Sequence, residues 1–114
     1  MTRSAHQSAE ASLKTVLLVF TGYSPDEHWL ALLLDEAARH DAELPAILPR
    51  TTNEEERLFK LLDYAYIGAR YDAKYEITQN ELDYLSQRVK QLLDRTETIC
   101  TEHLGRLKQT DQNG

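Results

Sequence analysis

Cysteine, glycine and proline are all scarce in this chain. One cysteine, four glycines and three prolines occur among 114 residues. A single Cys100 cannot close an internal disulfide or build a cysteine zinc cluster, and it fits a reducing, cytoplasmic setting. So little glycine and proline excludes collagen-like and low-complexity chains. Long apolar runs are missing as well. Runs such as Val16–Phe20 fall far short of the roughly 20 residues that cross a bilayer, so no membrane contact is expected. The polar start Met1–Gln7 lacks the apolar stretch of a signal peptide. Positive charge is also in short supply. Thirteen Lys and Arg face nineteen Asp and Glu, a formal net charge of −6, which excludes coating of nucleic acid by bulk attraction. The acidic excess is concentrated between residues 23 and 50, with six acids against two bases.

What the chain does have is helical periodicity, in an amount that suits one domain. Four segments repeat apolar residues every three or four positions. The spacing predicts an all-α, up-and-down bundle with helices over about 4–21, 25–40, 53–71 and 79–107 and antiparallel neighbours. The first buries Leu13, Val16, Leu17 and Phe20 and stops at Gly22. Ser24, Pro25 and Glu27 read as a capping box opening the second, whose apolar face is Leu30, Leu33, Leu34 and Ala37. Pro45 and Pro49 interrupt helix between 41 and 52. Glu54, Glu55 and Glu56 complement the dipole at the start of the third, which presents Leu58, Leu61, Leu62, Ala65 and Ala69. Thr78 and Glu81 form a second capping box. The last helix carries a heptad-like seam, Leu82, Leu85, Val89, Leu92, Thr96 and Ile99, with a second stripe of Leu93, Cys100, Leu104 and Leu107 beside it. Two stripes predict contacts on two sides. The domain is expected over 1–108, with 109–114 a frayed tail.

Several polar groups are candidates for binding. His6, Glu10 and Lys14 lie four apart on the first helix, along one polar edge: either a ligand- or partner-facing edge, or a solvated face with an ordinary Glu10–Lys14 pair. His6 and Glu10 fall short of the three or four ligands of a zinc site. His28 is placed in the first turn of the second helix, where the dipole disfavours its protonation. Trp29 reads as a packing anchor. Five of the six tyrosines fall between Tyr64 and Tyr84, interleaved with Arg70 and Lys74. Aromatic faces stack on bases and Arg grips phosphate, so Tyr66, Arg70, Tyr71 and Tyr75 form the best surface for a nucleotide or RNA. Tyr64 and Tyr84 read instead as wedges between helices. Cys100 reads as a small buried hydrophobe. No Ser-His-Asp order, Gly-rich phosphate loop or paired-carboxylate motif is present. No catalytic residue, metal or cofactor is assigned.

Three stretches then stand out together: His6-Gln7-Ser8-Ala9-Glu10; Leu17-Leu18-Val19-Phe20-Thr21-Gly22-Tyr23 with Pro25 and His28; and Ala65-Tyr66-Ile67-Gly68-Ala69-Arg70-Tyr71. Glu54–Leu58 and Tyr75–Thr78 fit the same pattern. In order and spacing, from about His6 to Leu107, the chain resembles the HEPN domain, of the type that accompanies minimal nucleotidyltransferases. The resemblance implies a cytoplasmic dimer that binds nucleotide or RNA beside such a partner, possible members of a toxin–antitoxin pair. It implies that His6, Glu10, Lys14, His28 and the Tyr66–Tyr75 group face the ligand. Two departures matter. The family usually has one more helix in front of the His6 segment, which is expected to be absent here, so a flank of Ala5, Ala9 and Leu13 is expected to be covered by another copy or a swapped segment. Ribonuclease members carry Arg, four to six residues, then His. Here Arg95 and His103 are separated by seven, Arg3 and His6 by two, and Arg39 and His40 by none. That favours a non-catalytic module over a metal-independent RNase toxin. A purely structural oligomerisation domain is the third reading.

Overall fold

The computed structural model describes residues 2–65, 67 and 76–113. Among these, every regular element is helical: α1 Thr2–Thr21, α2 Leu30–Ala37, α3 Leu44–Ile47, α4 Asn53–Asp63 and α5 Gln79–Asn113. The helical bundle is as the periodicity predicts. Among the described residues these five helices have defined bounds, one of them, α3, not among the four expected. Pro45 occupies the first turn of the extra one, α3, the one place where a helix tolerates a residue without N–H. Leu44 and Leu48 at its two ends are buried.

The most consequential difference lies between Gly22 and Trp29. The expected capping box at Ser24 and Glu27 does not form, and α2 starts at Leu30 rather than Pro25. Gly22 closes α1 with a positive φ of 78° and an N–H donated to Leu18 O at 2.8 Å, a conformation glycine adopts without steric cost. Glu27 then turns its carboxylate onto the N–H groups of His28 and Trp29, at 2.9 and 3.1 Å. The segment 22–29 has no helix. Non-helical chain covers up to 3.3–3.6 Å per residue, over twice a helix's 1.5 Å rise, so this short stretch returns along α1. His28 arrives beside His6 near the start of α1, and His40, just beyond α2, lies 5.1 Å from the Phe20 ring at its end. So α1 and α2 run in the same direction, where the alternating arrangement has neighbours antiparallel.

Helix α5 packs on α1 more extensively than any other pair of elements, also in parallel: Ser12 meets Thr96 through their hydroxyls and Phe20 stacks on His103 at 4.1 Å. The core is continuous, with Leu13, Val16 and Leu17 of α1, Leu30, Leu33 and Leu34 of α2, and Leu85, Val89, Leu92 and Ile99 of α5 all buried. Ala9 and Leu13 are therefore covered by the chain's own helices, and Ala5 is packed against the same core. The expected flank awaiting a second copy is not there, because these positions belong to the chain's own core.

Local chemistry accounts for the remaining boundaries. Thr52 and Glu55 cap α4 reciprocally, and Thr78 and Glu81 cap α5 as expected, at 2.9 and 3.2 Å. Arg57 joins these two starts by bonding both Glu54 and Glu81 at 2.6 Å. On α4 the buried aromatic is Phe59, outside the expected face, while Leu58 and Leu61 are only partly buried. The α4 assignment ends at Asp63, short of Tyr71, and the stretch 68–71 of the expected helix lies outside the described residues. Helix α5 runs on through Asn113, so 109–113, expected to fray, is helical; no Gly or Pro stands there to stop it. Arg88 and Arg95 of α5 hold the α3 region, bonding Ile47 O and Asp41 at 2.7 Å.

Replacing Leu13 by Ala is expected to cost about 2–5 kcal/mol in urea unfolding, as for other fully buried leucines. A cost under about 1 kcal/mol would mean that Leu13 is not sealed in the core.

Candidate functional site

The polar groups at the start of α1 converge with two other elements. His6 is fully buried, which corrects the alternative of a solvated edge. Its Nε2 donates to the backbone carbonyl of His28 at 3.0 Å. A carbonyl only accepts, so this nitrogen carries the proton. The same nitrogen lies 3.9 Å from Asp63 Oδ1, and Nδ1 lies 3.8 Å from Glu10 Oε1.

Asp63 ends α4 and caps α2 from a distance. Its carboxylate accepts from Leu30 N–H at 2.6 Å and Ala31 N–H at 3.2 Å. Trp29, at the N-cap position of α2, provides no side-chain cap, so these first-turn donors depend on a residue from another helix. Burial pushes the Asp63 carboxyl above its ordinary range, more strongly than the two N–H donors pull it down. Burial likewise lowers the His6 pKa, outweighing the attraction of Glu10 and Asp63 for a proton.

Nearer the surface, Glu10 accepts from Lys14 at 3.2 Å and faces His28 Nδ1 at 3.3 Å from both oxygens. The expected alignment of Glu10 and Lys14 is present, and both are about one-fifth exposed. His28 is nearly half exposed. It precedes α2 instead of lying in its first turn, so it is oriented by Glu10 rather than by the dipole of that helix. Trp29 is partly buried and meets Tyr64 edge-on at 5.3 Å. The structure thus brings together His6, Glu10, Lys14 and His28, and adds Asp63, which sequence reasoning missed. Tyr66, Arg70, Tyr71 and Tyr75 lie outside the described residues. Among the described residues, no group of three or more His, Cys, Asp and Glu could hold a metal ion, and no helix is long and apolar enough to cross a membrane. Cys100 is buried and burial raises its thiol pKa.

A helical domain whose first helix is tied by a buried histidine to a returning segment is the class of protein this geometry defines. The family model for the HEPN domain matches residues 1–100. The chain belongs to the HEPN domain family. No curated protein matches it significantly.

Two predictions follow from the cluster. A His whose pKa is lowered by folding gives stability that is present above its unfolded value of 6.5 and lost as pH falls through the folded value. Urea unfolding between pH 7 and 5 is therefore expected to show a fall in stability, part of which disappears in His6→Asn. An identical pH slope in the variant would contradict the burial argument. Asp63 acts with the opposite sign, since its raised pKa gives stability present below 3.8 and lost as pH rises through the folded value. Asp63→Ala leaves two helix donors without their acceptor and is expected to cost about 1–3 kcal/mol at neutral pH.

Proposed function

We propose that this HEPN domain is a non-catalytic module that binds a nucleotide or RNA, pairs with a second copy of itself, and works in the cytoplasm beside a minimal nucleotidyltransferase, as one half of a toxin–antitoxin pair. The family match over residues 1–100 carries this reading. The sequence supports the non-catalytic part, because no arginine is followed at the ribonuclease spacing by histidine. The geometry supports it too: His6 and Asp63 are occupied in holding α1, α2 and α4 together. Ligand contact is left to Glu10, Lys14 and His28 at the rim and to Tyr66, Arg70, Tyr71 and Tyr75. Co-expression with the minimal nucleotidyltransferase of its own genome should give a complex that co-elutes; separate elution at micromolar concentrations would contradict the partnership.

The second copy would sit on the outer stripe of α5. Leu93, Leu104 and Leu107 are exposed at 39, 52 and 48%. Ser8, Ala11, Ser12 and Thr15 of α1 form the small-residue wall of the trough alongside, which leaves room for bulky side chains of another helix. One surface holding both knobs and holes is self-complementary, as a two-fold contact requires. Leu104→Lys should convert a dimer to a monomer in light scattering without changing the helical circular dichroism. A dimer that survives this change would place the contact elsewhere.

An RNase is the second reading, and the Glu10–His28 contact favours it. A carboxylate that orients a half-exposed imidazole is a usual arrangement for a general base. Total RNA cleaved by the wild type and not by His28→Ala would establish it, and intact RNA over a wide protein range would remove it.

A further inference from the structure

Away from the His6 cluster, a cleft of about 570 Å³ opens between α4 and the segment that leads into it, within the usual range for small-molecule sites. Its floor is the buried ring of Phe59, with the guanidinium of Arg50 held 5.1 Å above the ring centroid. Tyr64 forms one wall, 45% exposed and braced edge-on by Trp29. Lys60 and Glu56 stand at the rim, paired at 3.0 Å, while Arg50 bonds Asp35 at 2.7 Å. Both carboxylate partners are more than half exposed, so these pairs are of small worth and open to competition. Asp63 also borders the cleft, but its two oxygens are turned to the N–H groups of Leu30 and Ala31.

We propose that this cleft is a mononucleotide site, with the base against the exposed ring of Tyr64 and the phosphate taken by Lys60 and Arg50. The inference rests on the nucleotide-binding reading above and gives it a location separate from the Tyr66–Tyr75 segment. An aromatic wall suits any base, since each offers a π face. A phosphate dianion carries more charge than either resident carboxylate and matches the planar fork of arginine. Three carboxylates are set against it: Glu56 on Lys60, Asp35 on Arg50, and Asp63 at the border. A phosphate displacing Glu56 from Lys60 leaves that carboxylate as a nearby like charge.

Titration calorimetry of the full chain with AMP, adenosine and inorganic phosphate tests the site. AMP should bind, with adenosine and phosphate each about tenfold weaker or more, as expected for a lost charged hydrogen bond or a lost stacking contact. Lys60→Ala and Tyr64→Ala, both at exposed positions, should weaken AMP by a similar factor. Glu56→Gln should tighten it. Wild-type affinity in the Lys60 and Tyr64 variants would overturn the cleft and leave nucleotide binding standing at another place. Absence of binding by any ribonucleoside monophosphate at millimolar concentration would overturn the cleft together with the nucleotide reading. Adenosine binding as tightly as AMP would overturn the role given to Lys60 and Arg50.

Discussion

Asp63 capping α2 across the chain is the constraint on which the rest of the fold depends. A helix start leaves several N–H groups without intrahelical partners, and nothing local caps α2. The acceptor comes instead from the last residue of α4, 33 positions away. His6 completes the junction from α1 by holding the carbonyl of His28. Three helices therefore meet at two buried polar side chains. Such groups stabilise a fold only when satisfied, and their loss is costly because the partners left behind stay buried.

This junction also explains the direction of the chain. With His28 fixed at the level of His6, the segment after Gly22 has to return along α1. Helix α2 then rises beside α1 instead of descending, and α5 also packs on α1 in parallel. The apolar positions that resembled an uncovered flank are sealed from within as a result.

Much of the helical content was legible from residue spacing. The seam from Leu82 to Ile99 and the face Leu30, Leu33, Leu34 and Ala37 are buried as the periodicity demands, and the Thr78–Glu81 cap forms as written. Most of the failures arise where a side chain takes a partner other than the one its local spacing implies, near or far in sequence. Glu27 had the right spacing for a capping box with Ser24, yet its carboxylate binds the next two N–H groups. Asp63 gave no signal, because an acid at the end of an apolar helix looks like surface. His6 was legible as part of a motif but not as a buried group, since its partner is a backbone carbonyl. Pro45 was read as a breaker and instead starts a short helix. The aromatic cleft at Phe59 escaped because Arg50, Lys60 and Tyr64 come from two segments with no shared spacing.

The stretch His6-Gln7-Ser8-Ala9-Glu10 has two roles in depth: His6 holds the fold, and Glu10, with Lys14 and His28, lies nearer the surface. Amide hydrogen exchange at Leu30 and Ala31 tests this most directly. The account predicts that both amides are protected like the core of α5 in the wild type, and that His6→Asn exposes them while Leu85–Ile99 stay protected. Rapid exchange at Leu30 and Ala31 in the wild type, or unchanged protection in the variant, would contradict it.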